Sequence, residues 1–291
     1  MAVGYWPLAI GFWLFNAGVL TYPTNPPPHD LTNPQPHEPT TPRPHEPTTP
    51  RTHNPTNMFL EIVASTVRSC VAAERGGADR IELCAALGTA GVTPSAGTIK
   101  AVKAAISIPV FVMIRPREGD FVYSEEEIQV MEHEIDAAKV YGADGIVFGC
   151  LTPDGNVDVA STKRLITRSA PLPVVFHRAF DVTNDLFKSL EEIFECGCVR
   201  ILTSGGQPKI NEKGIETLHA LSKQAAGRIT IMPGGGVTEE VLPKFDKTLI
   251  TEVHTSAREE VISPSSSWPS SNIFETNWQE TTSDRVKEFK K

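Results

Sequence analysis

The sequence predicts a (β/α)8 barrel of the α/β class, and three observations carry that expectation. Eight short apolar runs rich in β-branched residues recur between Met58 and Arg258. Each gives way to a polar turn, and most of those turns lead into a stretch with helical periodicity. Strands joined by helical crossovers lie parallel with both faces covered, so they read as nearly continuous apolar runs. Closing eight of them on one another makes the barrel.

The elements follow in order. Residues 59–63 form the first strand, with helical spacing over 67–75; residues 80–84 form the second, with a crossover helix over 96–106. The third strand, 109–114, leads to Ser124-Glu-Glu-Glu127, a capping box opening a helix that runs to Tyr141 and stops at Gly142. Strands 145–148, 173–177 and 199–203 are followed by helical patterns over 159–169, 185–195 and 212–225. Strand 228–232 leads to a helix beginning near Thr238, and strand 250–254 completes the set. Past the barrel the pattern fails. Residues 259–282 are rich in Ser, Pro and Thr, and only 283–291 suggests a short helix, with Val286 and Phe289 on one side.

Three segments therefore organise the chain: 1–57, a barrel over 58–258, and an atypical tail over 259–291. Residues 22–57 hold half of the 24 prolines and repeat the octapeptide Pro36-His-Glu-Pro-Thr-Thr-Pro-Arg43. With so few large apolar side chains this arm is expected to stay disordered, its His29, His37, His45 and His53 offering loose metal ligands. Residues 1–20 are apolar enough to suggest a signal or anchor. However, no Lys or Arg precedes them, and Pro7 and Asn16 interrupt the run, so no membrane partner is expected.

A formal net charge of -8 and the absence of a large basic block argue against nucleic acid as a partner. Five cysteines, an odd number and all within the barrel repeat, point to a reducing compartment.

Side chains at the C-terminal ends of separated barrel strands converge on one mouth. Two glycine turns, Ser204-Gly205-Gly206 and Pro233-Gly234-Gly235-Gly236, end neighbouring strands there. Glycine brings backbone N–H groups close to a ligand, and the helix expected near Thr238 would add its N-terminus, so the pair is a candidate anion site with Thr203 beside it. The plainer reading is that these glycines serve tight turns. Arg115 and Arg117 after the third strand offer donor forks for an oxyanion, while His177 and His254, ending the fifth and eighth strands, can bind a ligand or move a proton. Glu61 and Glu82 lie inside apolar strands, where a carboxylate is costly unless paired, and close like charges can raise one pKa for acid/base work. Buried salt bridges to Arg115 or another barrel arginine are the structural alternative. Alternation places Val63 with Glu61 and Cys84 with Glu82.

Taken together, ERGGADRIELC (74–84), GVTPSAG (91–97), PVFVMIRPREGDFVYS (109–124), YGADGIVFG (141–149), LPVVFHRAFD (172–181), RILTSGG (200–206) and RITIMPGGGV (228–237) resemble the CutC family of copper homeostasis proteins. The resemblance covers about 59–258. It implies a TIM barrel, a cytoplasmic and sometimes nuclear homo-oligomer, and a link to copper without an organic cofactor. It also implies copper(I) binding at two cysteines, of which only Cys84 is present; Val63 stands at the other position. The functional expectation is thus a copper homeostasis protein. The alternative is a lyase, isomerase or hydrolase for a phosphate- or carboxylate-bearing molecule, with His177, Glu61 and Glu82 as its catalytic groups.

Overall fold

A computed structural model describes residues 58–268 and 277–291. The apolar start, the proline-rich arm and its four histidines lie outside the described residues. Everything below belongs to one of the chain's two units, Thr52–Lys291.

Eight parallel strands form one sheet in the order β7-β6-β5-β4-β3-β2-β1-β8. They are β1 (Phe59–Ala64), β2 (Arg80–Leu83), β3 (Val110–Met113), β4 (Gly145–Phe148), β5 (Val174–Phe176), β6 (Arg200–Thr203), β7 (Thr230–Pro233) and β8 (Glu252–Thr255). First and last strands are paired, Glu61 opposite His254. β7 and β8 pack side by side, but no hydrogen-bonded register joins them among the described residues, so this seam closes the barrel by packing.

The crossovers are α1 (Val67–Gly76), α2 (Ala96–Ala105), α3 (Glu125–Val140), α4 (Val159–Ser169), α5 (Leu186–Cys196) and α6 (Glu212–Ala225), with α7 (Ser283–Glu288) near the C-terminus. Each begins at a Thr, Ser, Asp or Asn whose side chain accepts a first-turn N–H, and the Ser124–Glu127 capping box is complete. Their apolar faces and the outward side chains of the strands make one buried layer that includes Ile62, Ile81, Phe148 and Leu218.

Two expectations change. No α-helix begins near Thr238. The chain makes one turn there, with the Val241 and Leu242 N–H groups bonded to Thr238, then a 3-10 turn at Leu242–Lys244. Pro243 explains this, because inside a longer helix its ring would clash with an earlier carbonyl and it has no N–H to donate. The tail, in contrast, has structure that its composition hid. β9 (Arg258–Val261) and β10 (Trp278–Thr281) pair antiparallel, and α7 then packs on α1. A Cβ at Gly76 would lie 2.4 Å from that of Val286, so this glycine permits the close approach.

Inside the barrel an apolar plug of Val63, Cys84, Phe111, Met113, Val147, Val175, Leu202 and Met232 separates the two ends. Gly145 makes room for the Phe111 ring, which a Cβ would approach to 2.6 Å. The guanidinium groups of Arg80 and Arg200 lie over that ring, 4.9 and 5.9 Å from its centre.

Candidate functional site

The site begins with strand alternation. Glu61, Arg80, Glu82, Arg200, Glu252 and His254 all fall on inward positions, so the barrel interior must neutralise its own charges. It does so in a chain of contacts. Arg80 donates from Nε to Glu61 and from Nη2 to Glu252 at 2.7 Å, while Arg200 clamps Glu252 at 2.7 and 2.8 Å. Glu61 Oε1 meets His254 Nδ1 at 2.7 Å. Glu61 therefore takes part in a buried salt bridge, with Arg80 as the barrel arginine that supplies its cation.

Glu82 is different. It is buried and accepts no hydrogen bond from any described residue, and its Oε2 lies 4.0 Å from His254 Nδ1. Burial raises the Glu82 pKa, with the Glu61 charge adding to the rise and His254 opposing it. Burial also acts to raise Glu61, but Arg80 and His254 outweigh it and hold that carboxyl well below the usual range. For His254 burial favours the neutral ring, yet the Glu82 and Glu61 carboxylates prevail and raise its pKa. One carboxylate is thus fixed in charge by an arginine, and the other lies buried near a histidine without a hydrogen bond.

These groups reach a cavity of about 450 Å³ at the C-terminal ends of the strands. Its floor is apolar, with Val63, Cys84, Met113 and Leu202, and its wall carries Glu82, Arg115, His177, Arg178, His254 and Arg258. Four arginines and two glutamates line it; Arg178 is paired with Asp181 and Arg285 with Glu239 and Glu288, which leaves Arg115 and Arg258 as the lining cations without a carboxylate partner among the described residues.

His177 lines the cavity, and of its two expected roles the local hydrogen bonding suits holding a ligand better than moving a proton. Its Nδ1 accepts the Ala179 N–H at 3.2 Å, which puts the ring proton on Nε2, and that Nε2 is buried without a partner. Burial, with the nearby Arg115 charge, lowers its pKa to about 3. A ring that stays neutral and protonated on Nε2 is a hydrogen-bond donor to a ligand and a poor proton carrier.

Arg115 also lines the cavity, but most of its fork is engaged. Nη1 donates to the carbonyls of Thr89 and Gly91 at 3.0 and 2.7 Å and Nη2 to that of Gly119 at 2.8 Å, stapling two loops; Nε is buried and unpartnered. Arg117 does not line the cavity. Glu127 and Asp120 draw its guanidinium to the outer side of the loop.

The first glycine turn is an anion nest already filled from within. The Asp181 carboxylate accepts from the N–H groups of Ser204 and Gly206 at 3.0 Å, from the hydroxyls of Thr203 and Ser204, and from Arg178 Nε at 2.7 Å. Gly205 donates its N–H to Thr203 Oγ1. Ser204 and Gly206 thus hold Asp181 and Gly205 bonds within the turn, so this segment follows the plainer reading of a tight turn, and its backbone donors are spent on the protein rather than left for a ligand. Gly234 belongs to the packing as well, donating to the Thr203 carbonyl at 2.9 Å and lying close against His254. Gly235 and Gly236, with φ of +86° and +100°, do line the cavity, though without a helix N-terminus behind them. Among the described residues no acceptor meets their N–H groups.

Sequence reasoning passed over Arg258 and the tail residues Arg285 and Phe289, all on the cavity wall. Position alone was the available signal for Arg258, four residues past the end of the last apolar run.

Glu61, Glu82 and His254 can bring one ligand atom each within 4.8 Å of one another. Glu61 is held by Arg80, and arginines line the adjoining cavity, so an anion or a shared proton suits the group better than a second cation. For copper(I), Cys84 is the thiol of the cavity floor, beside Val63; burial raises its pKa far above the usual thiol range, the Arg258 charge opposing only in part. A lone protonated thiol does not make a soft two-thiolate site.

The model of the CutC family matches residues 58–259. The chain is 50% identical over 200 residues to the human copper homeostasis protein cutC homolog, covering 68% of this chain and 73% of the human one. It is 51% identical over 206 residues to the family protein CutC of Parabacteroides distasonis, covering 70% and 84%. The crystal structure of CutC from Streptococcus agalactiae superposes with a TM-score of 0.64 at 36% identity, over 68% of this chain and 97% of that one. An aldolase, QR15, at 17% identity and a TM-score of 0.54, shares the fold alone.

The neutral state of buried His177 predicts a pH dependence. Below its ordinary value of 6.5 the unfolded chain takes up a proton that the folded chain refuses until about pH 3, so stability falls as pH falls through that window. Relative to His177→Gln, the wild type should lose roughly 1.4 kcal/mol per pH unit there. Urea unfolding at stepped pH measures the difference, and parallel curves would show a histidine that titrates normally.

Proposed function

The chain belongs to the CutC family, and we propose that it serves copper homeostasis through a barrel mouth that binds a small oxyanion rather than through a two-thiolate copper(I) site. The observation carrying this reading is Arg258. It lines the cavity, its charge reaches Cys84 on the floor, and among the described residues no carboxylate, carbonyl or hydroxyl partners it. A guanidinium held at a cavity wall without an internal partner is a ready donor fork for a phosphate or carboxylate.

The rest of the wall supports the same ligand. Gly235 and Gly236 present backbone N–H groups on the same wall. Arg178 is anchored by Asp181 and packs against Gly235, where a Cβ would come within 2.6 Å of its Nη1. The second glycine turn and Arg178 therefore shape one rim. Five free cysteines support a reducing setting, for which we propose the cytoplasm and nucleus, with the chain acting as a homo-oligomer. No helix among the described residues is long and apolar enough to cross a membrane.

Calorimetric titration with inorganic phosphate, then pyruvate, tests the anion reading. Saturable binding of either is expected, weakened at least about tenfold in Arg258→Gln, because hydrogen bonds to a charged group contribute roughly 1.5–3 kcal/mol. Absence of binding, or binding indifferent to Arg258, would contradict it. Copper supplies an independent check. Val63→Cys places a second thiol in the floor beside Cys84 and should compete for copper(I) against a chelator at least about tenfold better than the wild type. Equal affinities would show that the missing thiol is immaterial.

A further inference from the structure

We propose that the mouth enolises a small phosphate- or carboxylate-bearing α-hydroxycarbonyl compound, with Glu82 as the base and His177 as donor to the oxygen that becomes anionic. The proposal rests on the oxyanion reading of the same cavity and names the chemistry done there.

Three unpartnered polar atoms carry it. Glu82 Oε2, His177 Nε2 and Arg115 Nε are each buried and lack any hydrogen-bond partner, and the three residues line one cavity. Folding gains nothing by burying such atoms, because each has given up its hydrogen bonds to water. Their common feature is the cavity, and their chemistry is complementary: one acceptor and two donors. A carbonyl oxygen placed against the His177 and Arg115 N–H groups has its developing negative charge met by hydrogen bonds already in place. The neighbouring carbon then faces the Glu82 wall.

The remaining parts fit the same step. Glu61, held by Arg80, fixes His254 through Nδ1, and that ring sits 4.0 Å from Glu82 Oε2. His254 is thus a positioning residue whose charge, when the ring is protonated, stabilises the Glu82 carboxylate. Phe121, 5.0 Å from the His177 ring, and the apolar floor limit water near the reacting carbon. The acid group of the substrate lies on Arg258 and the Gly235–Gly236 amides.

The step balances without a co-reactant. Glu82 takes the proton as the C–H bond breaks, the electron pair forms the C=C bond of an enediolate, and the carbonyl oxygen takes the charge. Once Glu82 has exchanged its proton with solvent, return of a proton to the same carbon regenerates the compound with that hydrogen replaced.

Dihydroxyacetone phosphate and hydroxypyruvate serve as probes, with loss of the carbon-bound proton followed by NMR in deuterium oxide. The wild-type chain should accelerate exchange of at least one probe by 100-fold or more over buffer, within the range a positioned base supplies. Glu82→Gln should fall to the buffer rate and Glu82→Asp between the two, both with wild-type thermal unfolding and phosphate affinity. His177→Gln should lower exchange at least tenfold with the phosphate site intact. No acceleration of either probe, or acceleration unchanged in Glu82→Gln, would overturn the proposal. Failure of phosphate to bind the wild type would refute the oxyanion reading itself, whereas binding without exchange would remove enolisation alone. If Glu82→Gln fails to fold, the His177→Gln rate decides, and an unchanged rate overturns the assignment.

Discussion

Burying Arg80 inside a closed sheet constrains everything above it. A guanidinium there sacrifices several kcal/mol of hydration, which only well-placed counter-charges offset. Glu61 and Glu252 supply them, Arg200 balances the second carboxylate, and Phe111 offers both cations its ring face. Gly145 in turn has to be glycine-sized to admit that ring. Once Glu61 is committed to Arg80, its free oxygen can orient His254, and Glu82 is left as the buried carboxylate with a histidine but no arginine. The division of labour between two glutamates on neighbouring strands therefore follows from one cation on β2.

The upper rim obeys a second rule, that a nest of N–H groups is filled by whatever anion is nearest. Asp181 fills the Ser204–Gly206 turn from within, and in doing so it fixes Arg178 against Gly235. The second glycine turn has no such internal anion among the described residues. Arg258, contributed by the first tail strand, completes a rim whose positive charge exceeds its negative. The oxyanion reading thus depends on the segment after β8 as much as on the barrel strands.

Much of this was legible beforehand because it repeats. Period and caps place the strands and helices to within a residue or two, and helices 159–169 and 212–225 match their expected limits. Strand alternation put Glu61 with Val63 and Glu82 with Cys84 on shared faces, and those faces are found to point into the barrel. Partners were harder, since a sequence shows which side chains face inward but not which of several cations or carbonyls each one meets. Arg115 is stapled to loop carbonyls and Arg117 to Glu127, neither of which follows from spacing. Pro243 was a readable objection to a helix from Thr238. An inward Glu61 also demanded an inward cation, and Arg80, two positions before Glu82 in the next run, was there to be counted. The β9–β10 pairing had no such signal, because its strands are short, polar and separated by sixteen residues.

A double-mutant cycle on the buried pair tests the central claim most directly. Arg80→Met and Glu61→Gln each leave one buried group uncompensated and should cost about 3–5 kcal/mol in denaturant unfolding, whereas the double variant should cost far less than the sum. Coupling of several kcal/mol would establish that the barrel interior is organised by this pair. Additive losses, within about 0.5 kcal/mol, would show two independent side chains and remove the basis for the assigned roles of Glu61, Glu82 and His254.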